Sequence, residues 1–200
     1  ARPRGTSAER GAHRLTRPGA VVESGPVAPR PVRNGGHSLA IGAEQFKRCL
    51  AKWASGVTIV TGRAGEEIHG MTVSDFSGAS LSPPLVSVCC SKESITTELI
   101  ARGRCFAVNV LAEDQQDLSN RFASKKHEHE RFVGLEYEQS ETGAPLLPGC
   151  VVNLDCRLVA TYEAGDHVIH LGEIVASRHS DRRPLVYWDG GYRRLAGPVA

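Results

Sequence analysis

No stretch of the 200 residues reaches the roughly 18 consecutive apolar positions that a bilayer-spanning helix needs, so no membrane helix is expected and the chain reads as soluble. The six cysteines, at 49, 89, 90, 105, 150 and 156, contain no C-x-x-C pair, and no secretory h-region stands upstream of them. That excludes a disulfide framework and points to buried free thiols in a reducing cytoplasm. G-x-S-x-G, the P-loop and a Rossmann G-x-G-x-x-G followed by an acid are all missing, so any nucleotide is handled without those folds. Residues 1–37 hold no aromatic side chain at all.

That aromatic-free segment is also where the basic charge lies. Seven Arg stand there against Glu9 and Glu23, a net +5, and a formal total of +2 leaves −3 for the remainder. Five prolines (Pro3, Pro18, Pro26, Pro29, Pro31) and six glycines interrupt it. Such a composition cannot bury enough surface to offset its ordering entropy. Residues 1–40 are therefore expected to form a flexible basic arm and 41–200 a single folded domain. Nucleic acid is an unlikely partner, because the folded part lacks the basic stripe such a ligand requires. With 40% hydrophobic and 23% charged residues, the chain as a whole is ordinary globular material.

Phe46, Cys49, Leu50 and Trp53 fall at helical spacing and predict an amphipathic helix over 44–54, ended by Gly56. Short β-rich runs follow at 57–61, 68–73, 85–90, 105–111, 151–162, 168–176 and 184–188, punctuated by Gly and Pro in the cadence of a barrel or sandwich. Two more helices are predicted, at 94–102 behind the N-cap Ser94 and at 113–123 behind Glu113-Asp114. KKHEHE (125–130) reads as a solvated loop, and His127-x-His129 within it as solvated rather than as a metal pair; no metal site is expected.

Three segments carry chemistry. Gly70-Met71-Thr72-Val73-Ser74, with the Ser-rich run to Ser80 and Leu81, crowds small and hydroxylated residues that let a ligand approach the backbone; turn chemistry accounts for the same composition. Ser91, Lys92, Ser94 and Thr96 at a predicted helix start suit an anion, or simple capping. Gly165-Asp166-His167 places a histidine at a hairpin tip with a carboxylate beside it to orient its ring.

Taken together, GVTIVT (56–61), GMTVSDFSGASLSPPLVSV (70–88), FAVNVL (106–111), NRFAS (120–124), GDH (165–167) and PLVYWDGGY (184–192) resemble, in order and spacing, the short-chain flavin reductase family over about 44–195. The resemblance implies a mainly β fold, an FMN-binding split β-barrel with peripheral α-helices, assembled as a homodimer. It implies reduction of FMN or FAD by NADH or NADPH, with the reduced flavin passed to a flavin-dependent oxygenase or halogenase. Carried over by position, Gly70, Met71, Thr72, Val73 and Ser74 are expected at the flavin ring, followed by Ser80 and Leu81. Ser91, Lys92, Ser94 and Thr96 are expected on the phosphate side, and Arg121 and Phe122 as a further flavin-contacting pair. Gly165, Asp166 and His167 are expected at the nicotinamide nucleotide, with His167 the residue closest to the chemistry and Tyr192 near the same cleft. Asp75 stands where the family more often has Ser, and the KKHEHE loop is longer and more charged than usual. The competing readings are a flavin-binding split barrel that is not a reductase, of the pyridoxamine-phosphate-oxidase-like kind, and a nucleic-acid-binding β-barrel.

Overall fold

In the computed structural model of the chain, residues 41–197 are described; the arm expected at 1–40 lies outside them. The domain opens with helix α1 (Ala43–Leu50) and the short strand β1 (Ser55–Gly56). β2 (Thr58–Ala64), β3 (Glu67–Val73), β4 (Phe76–Ser80) and β5 (Leu85–Ser91) lead to helix α2 (Ile95–Gly103). β6 (Cys105–Val110), helix α3 (Gln116–Ala123) and a 3₁₀ turn at Glu128–Glu130 come next. The chain finishes with β7 (Val152–Ala164), β8 (His167–His179), β9 (Val186–Trp188) and β10 (Gly191–Arg193).

Seven strands form one antiparallel sheet in the order β3-β2-β6-β7-β8-β5-β4, and β1-β9-β10 make a second, small one. The large sheet curls on itself. One apolar cluster draws Val60 from β2, Val73 from β3, Val86 and Val88 from β5, Phe106 and Val108 from β6 and Leu158 from β7, so strands from both ends of the strand order share one interior. The opposite face of β2 is buried too. Ile59 packs with Leu111, Phe122, Leu147 and Leu185 in a second cluster under α3 and the connecting loops. Burial on both faces explains why Thr58–Gly62 is uniformly buried rather than alternating.

The barrel does not close where β3 faces β5. β3 pairs only with β2, and the cover that β4 lays on β5 ends just past the Phe76–Val88 pair, where Cys89 N–H donates to the Asp75 carbonyl at 3.0 Å. Cys89–Ser91 and the outer edge of β3 are therefore the two lips of a split. The register assigns the backbone direction there. Val73 turns its carbonyl to β2, where Thr58 Oγ1 donates to it at 2.7 Å, whereas the Gly70 carbonyl accepts from Arg131 at 2.8 Å. Backbone groups alternate sides along a strand, so Gly70 and Thr72 present theirs to the split, whereas beyond the strand the Ser74 carbonyl accepts from Phe76 N–H at 3.1 Å.

Four expectations need correction. α1 stops at Leu50 rather than 54, tightened by Lys52 N–H to the Cys49 carbonyl and Trp53 N–H to the Leu50 carbonyl, and Gly56 belongs to a strand. α3 begins at Gln116, not at Glu113, because Ala112 bridges Pro184 and Glu113 N–H donates to the Arg183 carbonyl, which holds those residues extended. Phe76–Ser80, read as a serine-rich turn, is a strand. The KKHEHE segment is not wholly solvated: Glu128 turns inward, its Oε1 3.5 Å from Arg131 Nη1 and 3.9 Å from His69 Nε2.

Candidate active site

Of the cavities that open along the split, two hold most of the residues singled out by the sequence. The larger, about 600 Å³, is walled by Trp53, Ser74, Asp75, Cys89, His167 and Tyr187 together with the apolar face of α1. The smaller, about 150 Å³, lies two to three residues away along the same two strands, where Met71, Thr72, Ser91 and Ser94 meet Arg131. They occupy successive positions along one groove, whose walls are main chain and short side chains in the middle, an imidazole and aromatic rings toward one end, and hydroxyls with cations toward the other.

The histidine end is built by the β7–β8 hairpin. The turn demands a positive φ at Gly165, where φ is 67°. The turn delivers Asp166 and His167 to the groove, with His167 paired opposite Ser91 of β5. His167 Nδ1 lies 2.8 Å from Asp166 Oδ1. This bond holds the Asp166 carboxyl below its usual range and assigns the proton to Nδ1, leaving Nε2 for a ligand. Lys92 N–H caps the same turn through the Asp166 carbonyl at 3.1 Å, while its ammonium pairs with Glu163 at 3.0 Å.

At the hydroxyl end, Ser94 caps α2: its Oγ accepts from Thr97 N–H at 3.0 Å. Thr96 is fully buried and bonds to His69 Nδ1 at 2.8 Å, so its hydroxyl serves the interior and not the cavity. Burial, and then the nearby Arg131 charge, lower the pKa of His69 and keep it neutral. Arg131 itself, 3% exposed, donates from Nη1 to the Gly70 carbonyl and from Nη2 to the Ser124 carbonyl at 2.7 Å. It thereby closes the free edge of β3.

The groove brings together Met71, Thr72, Ser74, Ser91, Ser94, Asp166 and His167, while Gly70 lines neither cavity. Met71 and Thr72 line the smaller cavity, the Thr72 hydroxyl being engaged by the Ser119 carbonyl at 2.7 Å, while the Val73 side chain packs in the barrel. Other expected residues are used differently. Arg121 donates to the carbonyls of Glu130 and Val133, bracing the loop after α3. The Phe122 ring is a core element with an edge on the small cavity. Tyr192 turns away from the His167 cleft: its hydroxyl bonds to Ser119 and Asn120, both at 2.9 Å, and Tyr187 takes the place beside the cavity. Ser80 and Leu81, the latter 93% exposed, stand at the far end of β4 outside both cavities. Trp53, Cys89, Glu128 and Arg131 line the groove from outside the quoted motifs, and Tyr187 does so from within PLVYWDGGY, where Tyr192 is the expected residue; only tertiary packing brings these separate segments to the split.

The donor set fits a flavin nucleotide. Edge-strand backbone and small residues suit a planar ring system, and the Ser91 hydroxyl, the Lys125 ammonium and the amides at the start of α2 suit its phosphate. The profile of the family described as "Flavin reductase like domain" matches residues 50–196, and the chain belongs to that family. An NADH-dependent flavin reductase from Rhodococcus is 38% identical over 153 residues, covering 75% of this chain and 85% of that protein. Among solved structures, the Streptomyces globisporus NADH:FAD oxidoreductase in complex with NAD and FAD fragments superposes with a TM-score of 0.73 at 34% identity, over 78% of this chain and 94% of that one. The flavin reductase component of a bacterial two-component tryptophan halogenase superposes at 0.72 with 32% identity, over 78% and 100% of the two chains.

Proposed function

We infer that this chain is a NAD(P)H:flavin oxidoreductase that reduces FMN or FAD with a nicotinamide nucleotide and supplies reduced flavin to a partner oxygenase or halogenase. The observation that carries the reading is the groove along the split, which sets a main-chain wall of small residues beside an oriented histidine and phosphate-type donors. When both nucleotides are bound, the nicotinamide supplies a hydride from C4 and the flavin accepts it at N5. The protein contributes no obligatory acid or base to that transfer; it contributes position. Thr72 offers its backbone groups across the split to the ring edge. Ser91 and Ser94 face the phosphate side. His167, oriented by Asp166, holds the nicotinamide nucleotide through Nε2.

Oxidation of NADH or NADPH followed at the reduced-nicotinamide absorbance band, with FMN or FAD as acceptor, tests the activity. His167→Ala is expected to raise KM for NAD(P)H about tenfold, the value of one to two hydrogen bonds, with a smaller change in KM for flavin. Unchanged kinetics would remove His167 from the site.

Two copies of the chain complete this site. No residue of α1 is buried, yet Phe46 (55% exposed), Leu50 (48%) and, just beyond it, Trp53 (73%) form an apolar face. The same three side chains wall the larger cavity, so a second copy laid on α1 would cover apolar surface and close the cleft together. Leu50→Glu is expected to halve the mass measured by sedimentation and to lower flavin reduction with it; a variant still dimeric at micromolar concentration would place the interface elsewhere. The six cysteines are all unpaired, which favours a reducing compartment such as the cytoplasm. No described helix is long and apolar enough to cross a membrane.

A further inference from the structure

The charges around the smaller cavity are nearly balanced, although a site for phosphate would ordinarily be cationic. Arg131 and Lys125 line it, but so do Glu93 and Glu128. Arg131 is committed: two carbonyls hold its guanidinium, and Glu128 Oε1 sits 3.5 Å from Nη1. His69, the other neighbour of Glu128 at 3.9 Å, is held neutral by its burial and lends Glu128 no compensating charge. Glu93 is exposed and makes no ion pair among the described residues, and Ser94 spends its side chain on capping α2. What remains for an incoming anion is Lys125, the Ser91 hydroxyl and the free N–H groups of the α2 start, set against Glu93, while Glu128 cancels the charge that Arg131 would otherwise offer.

We propose that Glu128 and Glu93 make this cavity a discriminator of phosphate charge, so that the chain binds FAD, whose ring-proximal phosphate is half of a pyrophosphate and carries one negative charge, in preference to FMN, whose terminal monoester is close to a dianion. The inference rests on the reading of this cavity as the phosphate end of a flavin groove. A phosphate monoester carries about −1.5 to −2 at pH 7, and repulsion from a fixed carboxylate scales with that charge. A volume of about 150 Å³ admits the proximal phosphate and leaves the second phosphate of a dinucleotide, with its nucleoside, to pass out over the exposed rim.

The test is equilibrium titration of the full chain with oxidised riboflavin, FMN and FAD, without nicotinamide, read by quenching of tryptophan emission. Wild type is expected to bind FAD at least threefold more tightly than FMN, with riboflavin no weaker than FMN. Glu128→Gln keeps the size of the side chain and removes its charge; it is expected to tighten FMN about tenfold, FAD about threefold and riboflavin not at all, and Glu93→Gln to act in the same order with about a threefold gain for FMN. A loss of fold would instead weaken all three flavins together, and the exposed Glu93 makes that outcome separable. FMN binding tighter than FAD in wild type, or an FMN:FAD ratio unmoved by both substitutions, overturns the proposal while leaving the flavin site standing. Failure of all three flavins to bind overturns the functional reading beneath it.

Discussion

Gly70→Val is expected to lower kcat/KM for flavin reduction by about 100-fold, a larger loss than that expected of His167→Ala. A Cβ at position 70 would come within 2.8 Å of Phe122 Cε1 and 3.0 Å of Thr61 Cγ2. Neither neighbour has room to give. Phe122 is fully buried and held edge-on by Phe132 at a centroid distance of 5.3 Å, and Thr61 is tied to the Pro145 carbonyl at 2.6 Å. The strain falls on β3, whose carbonyl at Gly70 is also clasped by Arg131. Overpacking of this kind costs roughly 1–3 kcal/mol of stability. A strand edge displaced by about 1 Å costs about 100-fold in rate, because the reacting rings need near-attack spacing. Steady-state kinetics beside a denaturant melt separates the two effects. Combining Gly70→Ala with Phe122→Leu is expected to recover part of the activity lost in Gly70→Ala alone; no recovery would put the cause elsewhere than in the Phe122 contact.

The second large effect is in stability and comes from His170. The ring lies fully buried on β8 between Val88 of β5 and Thr161 of β7. Nδ1 bonds to Thr161 Oγ1 at 3.0 Å, and Nε2 has no partner among the described residues. Burial alone lowers its pKa to about 4, against 6.5 in the unfolded chain. A depressed folded pKa means that the unfolded state takes up the proton first as pH falls. The fold is therefore at full strength above pH 6.5 and loses stability between pH 6.5 and 4, by about 3 kcal/mol in all and about 2 kcal/mol by pH 5. His69, lowered for the same main reason, adds to the loss with the same sign. Denaturant unfolding at pH 7 and pH 5, at one protein concentration, is expected to give a markedly shallower acid loss for His170→Leu than for wild type. At pH 7 the variant should be no less stable, since it removes an unsatisfied nitrogen and leaves Thr161 at the surface. Parallel losses in the two proteins would mean that His170 does not carry the acid sensitivity.

The parts of this domain that local chemistry dictates were legible without coordinates. The β-rich runs between Gly and Pro punctuation became strands because alternating or continuous apolar patterns have few other ways to bury themselves. Ser94 became the cap of α2, where its hydroxyl answers an orphan amide. Gly165-Asp166-His167 became a hairpin tip because the turn needs a positive φ. Motifs in serial order carried the resemblance to flavin reductases for the same reason, and the family and its fold followed.

What the linear order could not disclose is where side chains go once distant segments meet. Phe76–Ser80 has little β-propensity and is a strand because the edge of β5 was open to it. Glu113-Asp114 looks like a helix start, but the pairing of 112–113 with 183–184 claims that backbone first. Arg121, Phe122, Thr96 and Tyr192 carry the right chemistry at the right places in the chain, yet loop carbonyls, the second core, His69 and α3 take up their functional groups. Glu128 and Arg131, written among charges that suit a solvated loop, fold inward because the unpaired edge of β3 needed a donor and that donor needed a counter-charge. The sequence by itself determined the elements and the family; only the tertiary structure decided which polar groups were already satisfied, and so which remained to meet a ligand.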